Sequence, residues 1–499
     1  MPRLAPSFVP PVAIDARRRT PLYRQLYEWF QAAILAGQLK PGQRVPSTRQ
    51  LATELGVSRI PVLGAYEQLH AEGYLETFVG AGTCVARSIP ERTPLIGRPA
   101  ARHGAVCPTN GAGPRRGSRL AGTIFQTDQS WLGNPGAFRI SLPALDQFPT
   151  AVWARLVNRH ARRVTRAMMA YGDPMGDRSL RAAIAEYLGA ARAVRCDASQ
   201  IMVTTGSQQG LLVAARVLLD ARDRVWVEDP AYPGARQALL AAGARMIPVP
   251  VDDEGLDVAR GARAAPTARA VYITPSHQHP LGVTMSATRR MTLLDWASRA
   301  GAWIIEDDYD SEYRFDSRPI ASLHSMDTDA RVIYVGTFSK VLFPALRLGY
   351  VVVPKDLIPA FSAMRDAFDV FSSTLYQAVV NDFIREGHFA RHIRRMRMVY
   401  MERRQALVDA LREEAGDHLE VIGAAAGLHL AVLLSRGMSD EAVARRAAAQ
   451  GILVTPLSSC YFKRPARGGL ILGYGGVTPH EIREAVRKLA QCVDPGLPA

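Results

Sequence analysis

Six short apolar runs recur between residues 200 and 354: "QIMVTT", "RVWVED", "ARAVYIT", "AWIIED", "RVIYVG" and "LGYVVVP". Most are separated by stretches of helical periodicity. Nothing else in the chain restricts its fold as much. Runs this short and this uniformly apolar read as strands buried on both faces. Strands alternating with helices predict an α/β domain with a mostly parallel sheet covered by helices on both sides. From "HIRRMRMVYMERRQALVDAL" onward, the last ~110 residues predict a long helix followed by a small C-terminal α+β subdomain.

The amino-terminal quarter follows a different pattern. "TPLYRQLYEWFQAAILAGQLKPGQ" places Leu22, Leu26, Phe30 and Ile34 on one helical face that stops at Gly37. "PSTRQLATELG" predicts a short helix capped by Ser47 and ended by Gly56. "SRIPVLGAYEQLHAEG" predicts a third, capped by Ser58, with Val62, Tyr66 and Leu69 inward. "YLETFVGAGTCVA" alternates about a Gly-Ala-Gly tip and predicts a hairpin. Two short helices across a tight turn, then a hairpin, make a winged helix-turn-helix over residues 17–87. Residues 88–135, rich in Pro, Gly and Arg, lack apolar periodicity and read as a flexible linker. The α/β domain then takes 136–499.

The net charge of +15 suits a polyanionic partner. Residues 1–86 hold nine Lys/Arg against six Asp/Glu, and 87–120 hold seven Arg against Glu91 alone, so the excess is densest toward the winged helix. The five cysteines are scattered and odd in number without CxxC spacing, which argues against a disulfide framework and a zinc site. No metal site is expected. No run reaches the ~18 apolar residues of a membrane span, and the proline-punctuated start has no apolar signal core. A cytoplasmic protein is the expectation.

Ligands of an open α/β sheet gather beyond the carboxyl ends of its strands. There the sequence places "GSQQG" after "IMVTT", Tyr232 after "VWVED", Asp307 and Tyr309 after "AWIIE", and Ser339-Lys340 after "VIYVG", with Arg347 seven residues on. Lys340 is one of only five lysines among 61 basic residues. An amine can condense with an aldehyde, which a guanidinium cannot do. Together these residues meet the needs of pyridoxal 5'-phosphate. Lys340 supplies the imine nitrogen, and Ser207, Gln208, Ser339 and Arg347 suit the phosphate. Asp307 would keep the ring nitrogen protonated, Tyr309 would meet the phenolic oxygen, and Tyr232 would cover the ring face. Singly, each has a structural alternative, such as a helix cap for Asp307 or a core position for Tyr232. Their order at successive strand ends favours the cofactor.

Two sets of segments carry a family resemblance. "PSTRQLATELGVSRIPVLGAYEQLHAEGYLETFVGAGTCVA" resembles the DNA-binding domain of GntR-family bacterial regulators. "YGDPMGDRSLRAAIAEYL", "TTGSQQGL", "EDPAYPG", "TPSHQHPLG", "IIEDDYDSEYRF" and "GTFSKVLFPALRLGY" resemble fold type I aminotransferases, and the whole chain resembles the MocR/GabR subfamily. The resemblance implies that Arg49 and Arg59 face double-stranded DNA, that the Gly80–Gly82 tip enters the minor groove, and that Ser47 and Ser58 meet phosphates. It implies a head-to-tail homodimer on two half-sites, with Tyr171 reaching the neighbouring subunit's cofactor phosphate. His279 falls where aminotransferases place an asparagine near the phenolic oxygen, and its imidazole could replace that contact or simply pack.

Aminotransferases clamp the substrate carboxylate with an arginine that opens a late apolar strand. Here Ile471 stands at that position. Arg464 and Arg467 just before it, and Arg236 after Tyr232, are the alternatives for an effector carboxylate. The expected function is a regulator that senses pyridoxal phosphate, or an amino compound forming an external aldimine with it, with at most residual transaminase activity. The alternatives are a working aminotransferase tethered to DNA and a DNA-binding protein on a dead dimerisation scaffold.

Overall fold

The computed structural model describes residues 20–78, 82–88, 136–315 and 321–493, with isolated positions between 12 and 18 and between 117 and 122. The chain divides into two compact units, Met1–Arg115 and Arg116–Ala499.

In the first unit, α1 (Leu22–Leu35), α2 (Thr48–Leu55) and α3 (Arg59–Ala71) precede a hairpin of β1 (Leu75–Phe78) and β2 (Gly82–Val85). Leu26, Phe30 and Ile34 of α1 close over Leu51, Val62, Tyr66 and Leu69 in a single core. Ser47 caps α2 by accepting the Gln50 amide, and Gly56 ends the helix in the left-handed conformation that glycine adopts without penalty. Ser58 holds the N-cap position of α3 in extended backbone, but its hydroxyl makes no cap bond. The side-chain cap expected there is absent, and the hydroxyl stays exposed. Gly80 of the expected wing tip lies outside the described residues, as does most of the 88–135 segment.

The second unit is built on an eight-stranded sheet of order β3-β10-β9-β8-β7-β4-β5-β6. Its strands are β3 (Ile201–Thr204), β4 (Arg224–Asp229), β5 (Arg245–Asp252), β6 (Gly255–Leu256), β7 (Ala270–Ile273), β8 (Trp303–Asp308), β9 (Val332–Thr337) and β10 (Gly349–Val352). Pairing is parallel from β9 through β8, β7 and β4 to β5, whereas β10 runs antiparallel to both β3 and β9. All six apolar runs are strands. The sequence did not announce β5, whose "RMIPVPVD" holds two prolines. Proline is tolerated there because β6 pairs only with the last residues of β5, so its outer edge needs few amide donors.

Buried residues fill both faces of this sheet, including a stacked pair, Trp226 and Trp296, whose rings lie 3.6 Å apart. The long helix expected late in the chain spans His388–Ala415. It packs with the helix Pro479–Val493 against a second, antiparallel sheet of order β11-β12-β14-β13: β11 (Leu419–Ile422), β12 (His429–Leu434), β13 (Thr455–Pro456) and β14 (Gly469–Gly473). No helix among the described residues is long and apolar enough to cross a membrane.

Candidate cofactor site and nucleic-acid interface

The parallel strands deliver their carboxyl ends to one edge of the large sheet, and the expected cofactor residues meet there. Asp307, the penultimate residue of β8, is buried. Tyr272, from the adjacent β7, donates its hydroxyl to one carboxylate oxygen at 2.8 Å, and the other oxygen is buried without a partner. Burial pushes the Asp307 carboxyl up to about 7, with the Tyr272 hydrogen bond and the Lys340 charge opposing. Its neighbour Asp308 is already committed: buried Arg192 pairs with it at 2.8 Å and the Tyr334 hydroxyl donates to it at 2.5 Å. Each carboxylate keeps one buried oxygen without a partner, but Asp308 already has its arginine, so Asp307 is the one left to meet a cationic group.

Lys340 follows β9, and its Nζ donates to the Ser141 carbonyl at 3.1 Å. Desolvation pulls its ammonium down to about 8, although Asp310 and Asp307 favour the charged form. Ser339 beside it is buried, its amide bonded to the Thr337 hydroxyl.

Beyond β3, Gly206 takes φ +111 and opens the helix Ser207–Leu218. A Cβ at Gly206 would lie 3.0 Å from the Arg347 guanidinium, so that cation sits directly over the turn. Ser207 and Gln208 supply the first amides of this helix, and Gln208 ties it to β4's continuation through a 2.7 Å bond to the Gly234 carbonyl. A Cβ on Gly234 would strike the Tyr232 ring at 2.5 Å, which explains glycine at that point.

An unpartnered buried carboxylate oxygen, a partly desolvated lysine, and a helix N-terminus under a guanidinium fit the ring nitrogen, aldehyde and phosphate of pyridoxal phosphate. The residues present fit this group.

Tyr309 is half-buried, with its hydroxyl 3.0 Å from His277 Nδ1. His277 Nδ1 in turn lies 3.1 Å from both oxygens of buried Asp310. His279 turns its ring edge to Tyr232 (5.5 Å) and to Tyr309 (6.0 Å). Tyr171 is 88% exposed, its ring edge-on to Phe371.

The effector arginines do not assemble. Arg467 bonds the Leu434 carbonyl and pairs with Glu420, at the far end of β12 from His429. Arg464 is exposed in the turn before β14. Arg236 bonds the Tyr461 carbonyl and lies over the Phe462 ring at 4.2 Å. Ile471 is fully buried in an apolar cluster with Leu457, Cys460, Ile140 and Leu281.

Sequence reasoning missed Tyr272, Ser141, Asp310 and His429. A histidine interrupting the apolar strand "LHLAVLL" was the available signal for the last.

In the first unit, Arg49 and Arg59 are both exposed, and Arg59 Nε donates to Thr48 Oγ1 at 3.1 Å, linking α3 to α2. Ser47 and Ser58 are exposed at the starts of those helices. A Cβ on Gly82 would lie 3.0 Å from the Arg44 guanidinium, which adds a cation at the base of the wing that the sequence pattern had not marked.

Comparison with known proteins agrees with this geometry. Residues 140–489 match the family of aminotransferases class I and II, and residues 22–85 match the bacterial regulatory proteins of the gntR family. The chain is 41% identical over 478 residues to the probable rhizopine catabolism regulatory protein MocR of Rhizobium meliloti, spanning 96% of this chain and 95% of that one. It is 30% identical to the pyridoxine biosynthesis regulator PdxR of Corynebacterium glutamicum over 97% and 99% of the two chains. Among solved structures, the α-aminoadipate aminotransferase LysN of Thermus thermophilus superposes with a TM-score of 0.70 at 29% identity, covering 76% of this chain and 97% of its own. The chain belongs to the MocR-type GntR regulators, DNA-binding proteins in which a winged helix-turn-helix is joined to a pyridoxal phosphate-dependent aminotransferase-like domain.

Proposed function

We propose that this regulator carries pyridoxal phosphate on Lys340 and that its DNA-binding state follows either the cofactor itself or an amine that competes with Lys340. The observation that carries this reading is the second carboxylate oxygen of Asp307, buried and without a partner beside Lys340.

Bound pyridoxal phosphate supplies an electrophilic carbon with which amines condense. The chain's own residues then have distinct roles. Asp307 accepts the ring N–H while Tyr272 holds the rest of its carboxylate in place. Tyr232 covers the ring, with Gly234 leaving it room. The amides of Ser207 and Gln208, the Ser339 hydroxyl and the Arg347 guanidinium hold the phosphate. Tyr309 presents its hydroxyl to the phenolic oxygen with His279 beside it. Lys340, with its ammonium drawn down to about 8, keeps more free amine near neutral pH than an exposed lysine would.

Tyr171, exposed on the single chain, suits a contact to the neighbouring subunit's phosphate in a head-to-tail homodimer. Such a dimer carries two winged helices and reads two half-sites, Arg59 and Arg49 facing DNA, Ser47 and Ser58 on phosphates and the Gly82 wing in the minor groove. An amine that replaces Lys340 acts as an effector to the extent that it favours one conformer of the large unit over another. We place this activity in the cytoplasm, with the DNA. Ile471, where a carboxylate clamp would stand, supports sensing over rapid transamination.

The test is spectroscopic. Purified protein should show the visible absorbance of bound cofactor, Lys340→Ala should lose it, and candidate amines should shift it in the wild type. Fast multiple turnover with an amino acid and a keto acid would instead favour a working transaminase.

A further inference from the structure

Next to Lys340 stands a group of buried imidazoles, of which the cofactor roles above use only His279, beside Tyr309. The rings of His277 and His429 lie 5.1 Å apart, and those of His279 and His429 lie 5.4 Å apart. All three side chains are more than nine-tenths buried, and the Nε2 atom of each has no hydrogen-bond partner. Lys340 is close enough for its charge to act on both His279 and His429. Unpartnered nitrogens at this depth cost stability unless something meets them.

The protonation of this wall follows from its partners. The Pro280 carbonyl, which only accepts, takes the other ring proton of His429, leaving its Nε2 as a bare acceptor. Burial holds His429 down to about 3, and it holds His279 well below its usual value, so both rings are neutral. His277 Nδ1 faces both oxygens of the Asp310 carboxylate.

Among the described residues, the arginines expected for a carboxylate are engaged or exposed elsewhere. Directly paired residues of a sheet share a face, so the pairs His429–Gly473 and Ala431–Ile471 put Ile471 on the face that carries His429. Its buried neighbours there are apolar, and Arg467 is tied to Glu420 and the Leu434 carbonyl. A carboxylate at this wall would meet the neutral rings of His279 and His429, an isoleucine and the buried Asp310 carboxylate. Hydroxyl groups, which both donate and accept, would instead meet the unpartnered Nε2 atoms.

We propose that the effector is a primary amine bearing hydroxyl groups and no carboxylate, its hydroxyls read by His277, His279 and His429. This deepens the reading above and rests on an amine meeting the cofactor at Lys340.

Serinol and serine differ only in a hydroxymethyl against a carboxylate and form the matched probe pair. The full-length protein loaded with pyridoxal phosphate is titrated with each, reading cofactor absorbance and calorimetric heat, with butylamine as an amine lacking both groups. Serinol should half-saturate at a concentration at least ~10-fold below that of serine. His429→Phe should erase most of that margin while leaving the butylamine titration unchanged. Ile471→Arg should move the preference toward serine. The wild-type comparison stands alone should either variant fail to fold. Serine binding as well as or better than serinol overturns the proposal while leaving the amine-sensing reading intact. Cofactor absorbance that no amine perturbs overturns both.

Discussion

Tyr272 donates its hydroxyl to one carboxylate oxygen of Asp307 across 2.8 Å, while the second oxygen is buried and unpartnered. The bond fixes the carboxylate so that its free acceptor is aimed before the cofactor arrives. Asp307→Asn keeps the shape and removes the charge. Charged hydrogen bonds contribute about 1.5–3 kcal/mol, so cofactor affinity should fall roughly ten- to hundredfold. An absorbance titration of cofactor-free protein with pyridoxal phosphate measures it.

The same burial has a consequence for pH. The folded carboxyl of Asp307 is pushed up to about 7, above the ~3.9 of an unfolded chain, so the folded state binds the extra proton between those values. The associated stability is present at low pH and is lost as pH rises through about 7. Glu312 at about 7 and Glu228 at about 8, raised by burial, act in the same direction. Below about 6.5 the buried neutral rings of His279, His392 and His429 act in the opposite direction, so thermal melts of cofactor-free protein should fall as pH rises from about 6.5 toward 8, and Asp307→Asn should flatten part of that fall.

Arg59 is exposed at the start of α3 and tied to Thr48 of α2 by a single surface bond. Arg59→Ala should weaken binding to a promoter fragment by about 1–3 kcal/mol while cofactor absorbance stays unchanged. Arg49→Ala should weaken binding to all sequences alike and lower the salt dependence by about one unit of slope. Fluorescence anisotropy across a salt series separates the two.

Arg192 and Asp308 form an ion pair with side chains only 3% and 2% exposed, and Arg192 also donates to the Ser276 hydroxyl at 2.7 Å, one residue before His277. Arg192→Ala strands a buried carboxylate and should cost about 3–5 kcal/mol of stability. Denaturant unfolding of the cofactor-free protein reads that loss.

Much of this was legible beforehand because strand ends carry chemistry and apolar runs mark strands. Asp307, Tyr309, Ser339 and Lys340 follow runs that any reading would call strands, and the structure brings them together at one edge. Other features leave no such trace. Tyr272 sits inside an apolar run and looks like core, and the Ser141 carbonyl that meets Lys340 is backbone. The antiparallel course of β10 depends on the short turn Pro344–Leu346, which encodes reversal without a distinctive residue pattern. Ser58 shows the converse: the residue type of a cap occupies the cap position and makes no cap bond. Nor does the sequence show that Arg467 and Arg236 bond the Leu434 and Tyr461 carbonyls.

The covalent link at Lys340 is the claim on which the rest turns, and its test is direct because the chain has only five lysines. The protein as purified is reduced with borohydride, digested and mapped by mass spectrometry. The expected result is a phosphopyridoxyl group on the peptide containing Lys340, with Lys40, Lys355, Lys463 and Lys488 unmodified. An unmodified Lys340, or the group on another lysine, would contradict it.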